Sequence, residues 1–145
     1  MSGNNIAVIN ELFHSLFPIC RSITGHGNDE TLNAVSKFIR NFEIKGVPSG
    51  TQMFDWTVPS EWNVKEAYVK NRYGKKIIDF SSNNLHLVSY STPFNGEVNT
   101  EQLLKHLHTL PERPDWIPYR TNYYREDWGF CCKHKLLESN KKSES

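Results

Sequence analysis

The stretch at residues 42–58, FEIKGVPSGTQMFDWTV, contains the change of periodicity that decides the fold class. Before Phe42, apolar residues recur every three or four positions, which is the period of a helix. After it that period is lost, and two short strands are predicted, at residues 43–47 and 53–58. A turn rich in Pro, Ser and Gly separates them at residues 48–50. The chain therefore changes here from helical to strand-rich.

Upstream of this stretch, the sequence predicts two amphipathic helices. Asn4 or Asn5 is the expected N-cap of the first helix, and Pro18 ends it. Its apolar stripe consists of Ile6, Ile9, Leu12, Phe13, Leu16 and Phe17. The second helix is expected to be capped by Asn28 or Asp29. Its buried side is expected to carry Leu32, Val35, Phe38, Ile39 and Phe42.

The connection between the two helices, residues 19–27, is rich in glycine and hydroxyl side chains. Its backbone N–H groups could bind an anion at the start of the second helix. It lacks the lysine of a phosphate-binding loop and no strand precedes it, which favours a simple turn into the helix. Arg21 in this connection is a candidate for holding a carboxylate, with an Asp or Glu of the same chain as the favoured partner.

Downstream of residue 58, short strand-like segments surround a third helix. The predicted strands and extended segments are residues 67–70, 76–80, 85–90, 119–124 and 128–132. Residues 71–74 are the expected turn of a hairpin. The third helix is capped by Asn99 or Thr100, and it carries Leu103, Leu104 and Leu107. Because strands and helices do not alternate regularly, an α+β architecture is predicted in preference to a doubly wound sheet.

Composition and charge limit the classes of function. The 145 residues are 37% hydrophobic, which is typical of a soluble globular domain. The formal charge of +1 argues against a nucleic-acid partner. No run approaches the ~18 apolar residues of a membrane span, and the N-terminus lacks the pattern of a secretory signal. Three cysteines argue against a disulfide framework, so a cytoplasmic location is expected.

Histidines and cysteines offer no metal or catalytic site by their spacing. On the predicted third helix, His106 and His108 point to nearly opposite faces and cannot share an ion, although a strand would allow it. Cys131 and Cys132 are expected to be buried at the end of a core strand. The closeness of His134 to Cys131 in sequence is not evidence of a catalytic pair, which must meet in space. No catalytic residue, metal ligand or cofactor is predicted within this chain.

The segment at residues 56–62, WTVPSEW, is the most distinctive local feature. Trp56 and Trp62 could bind a sugar ring or an extended peptide. They could equally form the core of a small β-rich subdomain that has few other large side chains, and the sequence favours this second interpretation.

Several longer strings, taken in order, carry a family resemblance. They are residues 16–25 (LFPICRSITG), 47–51 (VPSGT), 54–62 (FDWTVPSEW), 84–91 (NLHLVSYS), 107–111 (LHTLP) and 123–131 (YYREDWGFC). Together they resemble the opening of a bacterial aminopeptidase-like family associated with polysaccharide biosynthesis. The resemblance spans residues 13–134.

The resemblance implies two N-terminal helices, a small β-rich inserted subdomain and the first strand or strands of an α/β zinc-exopeptidase-like core. Residues 1–50 would hold the helices and the first core strand, and residues 51–110 the inserted subdomain. Residues 111–134 would return the chain to the core sheet. Residues 135–145 are expected to be a disordered tail, because they are too poor in apolar side chains to offset their ordering entropy.

The resemblance also implies a function for the longer protein. Family members are longer than this chain, and their zinc ligands lie downstream of the segment that resembles residues 128–131. The chain would then be the N-terminal part of a zinc-dependent aminopeptidase-like protein that hydrolyses N-terminal peptide bonds, and it would be inactive alone. The expected partners are the missing C-terminal core or a homo-oligomer, with a peptide as substrate of the full-length family.

The residues implied as substrate-side contacts are Arg21, Trp56, Trp62, Tyr123 and Tyr124. The alternative hypothesis is a stand-alone glycan- or peptide-binding module that uses the Trp-rich β-subdomain. A third is a small enzyme with an unrecognised Cys or His site. Because the core sheet would be incomplete, apolar faces are expected to be exposed and the isolated chain is expected to be marginally stable or to associate.

Overall fold

A computed structural model describes residues 2–21 and 23–143, and it confirms an α+β architecture. Within these ranges the helices are α1 Ser2–Leu16, α2 His26–Ser36, α3 Thr100–Lys105 and α4 His134–Ser143. The strands are β1 Gln52–Met53, β2 Trp56–Thr57, β3 Tyr68–Lys70, β4 Lys76–Asp79, β5 Leu107–His108 and β6 Phe130–Cys131. They form antiparallel pairs β1–β2 and β3–β4 and a parallel pair β5–β6. None of the helices in the described ranges has the length and apolar character needed to cross a bilayer.

The chain divides into two compact units, Met1–Val64 and Lys65–Ser145. The first unit contains α1, α2 and the β1–β2 hairpin, and the second contains the other elements. The predicted β-rich segment, residues 51–110, is therefore shared between the two units. The reason is strand pairing: β1 pairs with β2 inside the first unit, whereas β5 pairs with β6 inside the second.

The two N-terminal helices are present, with different ends from those predicted. α1 begins at Ser2, so Asn4 and Asn5 lie inside it and neither is its N-cap. α2 begins at His26 with Gly25 as N-cap and no capping side chain, so the predicted caps at Asn28 and Asp29 are wrong.

The second helix is also shorter than its apolar pattern indicated. α2 ends at Ser36, before Phe38 and Ile39, which are 41% and 48% exposed. Asn41 then adopts a φ of 59°, a left-handed conformation that a helix cannot continue through. The prediction that Phe38, Ile39 and Phe42 lie on a buried helical side is therefore wrong.

Close backbone packing explains the two glycines at the start of α2. A Cβ atom at Gly25, where φ is 92°, would lie 2.6 Å from both the Trp62 carbonyl oxygen and Asn63 Oδ1. A Cβ atom at Gly27 would lie 2.0 Å from the Cys20 carbonyl oxygen. The His26 backbone N–H donates to Asn63 Oδ1 at 2.8 Å, which ties this turn to the end of the first unit. The expected turn into a helix is confirmed.

The two strands predicted around residues 43–58 are replaced by one tight hairpin. Residues 43–47 form no strand, because no described segment pairs with them. Residues 53–58 do not form a continuous strand, since the chain reverses at Phe54 and Asp55 and Met53 pairs with Trp56. Phe54 takes a φ of 55° and its side chain is 97% exposed at the tip of the hairpin.

The hairpin predicted in the second unit is confirmed as β3–β4. Asn71 Oδ1 accepts hydrogen bonds from the backbone N–H groups of Tyr73 and Lys75, both at 3.0 Å. Gly74 supplies the left-handed conformation of the turn, with φ at 78°. Lys76 Nζ lies 2.8 Å from Asp79 Oδ2, and this hydrogen bond, with those from Ser81, lowers the pKa of that carboxyl to about 2.

The third helix is capped as predicted but ends earlier. Asn99 and Gln102 form a capping box, with Asn99 Oδ1 accepting from the Gln102 backbone N–H at 2.9 Å. His106 is the C-cap, and His108 lies in β5, so the prediction that both histidines stand on one helix is wrong. The reason is pairing with β6, whose Phe130 and Cys131 hold residues 107–108 extended.

The core of the second unit lies around β6. Its buried apolar side chains include Ile78, Val88, Cys131 and Cys132. The predicted strand at residues 85–90 begins instead as a 3-10 turn, Asn84–His86, followed by isolated bridges at Leu87 and Ser89. Burial of the cysteine pair is confirmed, and burial raises the pKa of each thiol to about 11.

The predicted disordered tail is wrong for the residues that the structure describes. Residues 134–143 form α4, and Glu144 and Ser145 lie outside the described residues. Leu136 and Leu137 are half-buried, and Lys135 Nζ contacts Asp115 Oδ2 at 2.7 Å. Contacts with the preceding segments therefore stabilise α4, although the composition of these residues alone does not favour an ordered structure.

Candidate functional site

The five predicted contact residues fall into two groups. Arg21, Trp56 and Trp62 lie in the first unit, whereas Tyr123 and Tyr124 lie in the second. The two tyrosines are in contact, with their ring centroids 4.7 Å apart and edge to face. The two groups therefore belong to different units of the chain.

In the first unit, Arg21 and the tryptophans have different surroundings. Arg21 Nη1 donates to the Leu16 carbonyl oxygen at the end of α1, so this guanidinium satisfies a helix C-terminus. Trp56 is 47% exposed on β2, while Trp62 is half-buried. The prediction that these three residues contact a substrate stays a prediction.

The first unit also presents a broad apolar surface. Apart from Gly25, none of its residues described at 5–21 and 23–64 is buried. Ile6, Ile9 and Phe13 on α1, with Phe17 directly after it, form a row that we name the α1 stripe, and each is between 61% and 72% exposed. The Phe13 and Phe17 rings stack at 5.7 Å, beside a groove of about 230 Å³. Contiguous exposed apolar surface of this kind marks an interaction site.

In the second unit, the two tyrosines occupy an anchored turn. We name residues 119–125 the tyrosine–arginine turn; its sequence is YRTNYYR. The Tyr123 ring packs edge-on against Tyr90 at 5.2 Å, and Tyr90 adopts a φ of 61°. A left-handed conformation is rare for a bulky side chain and is concentrated at functional sites. The Tyr124 ring, in contrast, is 93% exposed.

Asn122 anchors this turn to the rest of the second unit. It is only 4% exposed, and its backbone N–H donates to the Ser89 carbonyl oxygen at 2.8 Å. Its carbonyl oxygen accepts from the Arg125 N–H at 3.0 Å, which closes a turn with Tyr123 and Tyr124 at its centre. Its side-chain Oδ1 accepts from Arg125 Nε at 3.1 Å. The backbone of Asn122 thus fixes the turn, and its buried side chain fixes the arginine.

A group of charges adjoins the turn. Arg125 Nη2 lies 3.5 Å from Asp127 Oδ2, and the other oxygen of Asp127 lies 3.3 Å from His106 Nδ1. Burial and the positive charges of Arg120 and Arg125 lower the pKa of His108, and each arginine outweighs the opposing effect of Asp127. The field around His108 is therefore positive.

Sequence reasoning missed Arg120, Asn122, Arg125 and Asp127. The available signal was the density of tyrosine and arginine in residues 119–125, a composition enriched at binding surfaces. What the sequence does not show is that Asn122 is buried, because asparagine is usually an exposed residue.

The histidines and acidic residues do not assemble a metal site in the part of the chain that the structure describes. There, no group of three or more His, Cys, Asp or Glu side chains could hold an ion. His106 Nδ1 donates to the Trp128 carbonyl oxygen at 2.9 Å, and His86 Nδ1 donates to that of Cys131 at 2.8 Å. Because fewer than three such side chains converge at any one place in the described ranges, they do not fit a zinc ion.

Known proteins match much of this chain. Residues 61–144 match the family described as a domain of unknown function, DUF2172. A relative from Clostridium acetobutylicum, named as a polysaccharide biosynthesis protein with an aminopeptidase-like domain, is 53% identical over 122 residues. The crystal structure of a Clostridium acetobutylicum protein described as a peptidase superposes with a TM-score of 0.87 at 49% identity.

These alignments cover most of this chain but only a small part of each relative. The curated relative aligns with 84% of this chain but only 28% of its own length. The solved structure aligns with 91% of this chain and 31% of that chain. The chain thus spans less than a third of each relative.

Proposed function

The chain belongs to the DUF2172 family, and we propose that it is the N-terminal, non-catalytic part of an aminopeptidase-like protein. The resemblance predicted from the sequence strings is confirmed by the Clostridium acetobutylicum relatives. Hydrolysis of N-terminal peptide bonds, and the zinc that the resemblance implies, would belong to the portion of the relatives that this chain does not cover. A cytoplasmic location is part of the same proposal, and the free cysteines accord with it.

Unequal coverage is the observation that carries this proposal. A fold that superposes on nearly the whole chain, yet on less than a third of the solved protein, accords with a part of a larger assembly. The surface of the first unit supports it, because the α1 stripe is exposed where a domain core would be buried. Covering one such side chain contributes roughly 1.5–3 kcal/mol.

The occupant that we propose for the α1 stripe is the portion present in the relatives and not covered here; a homo-oligomer is the competing partner. The groove between Leu12, Leu16 and the stacked Phe13–Phe17 pair suits an apolar ridge of a helix or strand. Arg21 lines the same groove and adds a hydrogen-bonding group to it.

Within this proposal the chain shapes the substrate side of the larger protein. Arg21, Trp56, Trp62, Tyr123 and Tyr124 remain the proposed contacts. Tyr124 suits the role best, since its ring is almost fully exposed.

Metal analysis and an aminopeptidase assay test the proposal. Three proteins are assayed on aminoacyl anilides: this chain, the full-length Clostridium acetobutylicum relative, and a chimera. In the chimera, this chain replaces the segment of the relative that matches it. We expect the chimera to match the relative, and the chain alone to show neither turnover nor stoichiometric zinc. Turnover by the chain alone, with one bound zinc, would overturn the proposal and establish a small enzyme.

The glycan- or peptide-binding module remains a second candidate because of the β1–β2 hairpin. Phe54 is 97% exposed at a left-handed tip, and Met53 and Trp56 beside it are 42% and 47% exposed. Titration with oligosaccharides and peptides, followed by Trp fluorescence, tests it. A saturable change lost in Trp56→Ala would favour the module.

A further inference from the structure

The tyrosine–arginine turn, residues 119–125, is an exposed segment of the second unit that is anchored by hydrogen bonds. Ser89 clamps it from one side: its N–H donates to the Arg120 carbonyl oxygen at 3.0 Å, and its carbonyl oxygen accepts from Asn122 at 2.8 Å. The Tyr123 N–H donates to Thr121 Oγ1 at 3.2 Å. The turn is thereby held in one conformation although most of its side chains face solvent.

Exposed groups on this fixed backbone are of two kinds. Tyr119 and Tyr124 are 66% and 93% exposed and offer aromatic surface with hydroxyl groups. Arg120 and Arg125 are exposed and positively charged. A preorganised surface loses little conformational entropy on binding, so groups of this kind can contribute to affinity.

Arg125 is the group with the most defined geometry. Its Nε donates to Asn122 Oδ1 at 3.1 Å, which fixes the plane of the guanidinium, while its side chain remains 64% exposed. Its contact with Asp127 is 3.5 Å, longer than a tight bidentate pair. A carboxylate from outside can therefore compete for this guanidinium.

We propose that the tyrosine–arginine turn binds carboxylate groups of a peptide, with Arg120 and Arg125 as the charged contacts and Tyr124 as the aromatic one. The inference rests on the proposed function, and it names acidic peptides as the class of substrate or ligand. Arginine forks match carboxylates, and a peptide carries carboxylates at its C-terminus and on Asp and Glu side chains. A neutral saccharide would use the aromatic rings but would offer no carboxylate to either arginine.

The electrostatics of the neighbouring strand agree with this assignment. His108 lies in β5, where its pKa is lowered by burial first, then by Arg120 and by Arg125. An anion bound to either arginine would offset the field of that arginine at His108. The titration of His108 therefore becomes a local reporter of binding at this place.

The test is a titration of the purified chain with tetraglutamate, using tetraglutamine as the uncharged control. We expect saturable binding of tetraglutamate alone, weakened about fivefold or more in Arg125→Gln and in Arg120→Gln. Arg113→Gln is the matched control, because Arg113 is also exposed but packs over Trp116 at 5.3 Å, outside the turn. The His108 ring signal in NMR should titrate at higher pH when the peptide is bound.

Three results would overturn the inference. They are the absence of saturable tetraglutamate binding, equal weakening by Arg113→Gln, and tighter binding of an oligogalacturonate than of the peptide. Asn122→Ala separates positioning from charge: it should weaken binding while the charges remain, and folding of each variant is checked by circular dichroism. None of these measurements involves hydrolysis or a second protein, so the inference can fail while the proposed function stands.

Discussion

The indole of Trp128 stacks on the imidazole of His106, with 3.9 Å between ring centroids and 12° between planes. Phe94 also stacks on the indole, at 4.4 Å and 8°. His106 Nδ1 also donates to the Trp128 carbonyl oxygen at 2.9 Å. Three segments distant in sequence therefore meet at one indole in the second unit.

Removing this indole should destabilise the second unit. Trp128→Ala would lose two stacked rings and leave a gap, at a cost of about 2–3 kcal/mol in the free energy of unfolding. Urea unfolding followed by circular dichroism measures the change. Trp116→Ala is the control, since Trp116 is 61% exposed and its loss should cost less than about 1 kcal/mol. Equal losses in the two variants would contradict the stacked arrangement.

Stability should fall as the pH drops below about 6.5, in part because of His108. Its pKa is lower in the folded chain than in the unfolded chain, owing to burial and to Arg120 and Arg125. Between these two pKa values the unfolded chain binds more protons, so the free energy of unfolding decreases as the pH falls through that window.

Comparison of variants isolates this contribution. His108→Asn should show a flatter dependence of unfolding free energy on pH between 5 and 8 than the parent. Identical slopes in the parent and His108→Asn would refute the assignment.

The start of α3 offers a test of local stability. Asn99→Ala removes the acceptor for the Gln102 N–H and should cost about 1 kcal/mol. Asn99→Ser keeps an oxygen at the cap, so its thermal unfolding should stay close to that of the parent. Equal thermal midpoints for Asn99→Ala and Asn99→Ser would contradict a stabilising role of this cap.

Exposed apolar surface predicts dye binding by the isolated chain. A hydrophobic dye should fluoresce with the chain, and Phe13→Asp with Phe17→Asp should reduce the signal, because these rings form the stacked part of the α1 stripe. The unfolding free energy should change by less than about 0.5 kcal/mol, as expected for exposed positions. No dye binding by the parent, with a cooperative monomeric transition, would contradict this prediction.

Local signals predicted the elements whose stability is local. The β3–β4 hairpin followed from alternating residues around a turn that Asn71 and Gly74 form by themselves. The start of α3 followed from Asn99, whose cap is made within one helical turn. The apolar period of α1 predicted that helix irrespective of any partner.

Elements that depend on distant residues were predicted poorly. Residues 107–108 carry a helical pattern, but pairing with β6 makes them a strand. Residues 43–47 have strand-like composition, yet no described segment pairs with them. The start of α2 at His26 depends on Asn63, which lies 37 positions away in the sequence. Asn63 Oδ1 accepts a hydrogen bond from the His26 backbone N–H. Period and composition contain no information about such partners.

In the candidate site, too, the sequence predicted local features and missed those that depend on distant residues. Tyr123 and Tyr124 could be named from the sequence, but their anchor at Asn122 could not, because it requires Ser89 and burial. Arg21 was expected to hold a carboxylate, and its Nη1 instead donates to a helix carbonyl five residues back.

Association with the remainder of a relative tests most directly whether this chain is part of a larger aminopeptidase-like protein. The Clostridium acetobutylicum relative, shortened by the segment that matches this chain, is titrated with the chain by calorimetry, and the intact relative serves as control. We predict a one-to-one complex with the shortened protein, weakened by Phe13→Asp and Phe17→Asp, and no binding to the intact one. The account would be contradicted if the shortened relative is folded but does not bind the chain, or if the shortened and intact relatives bind the chain equally.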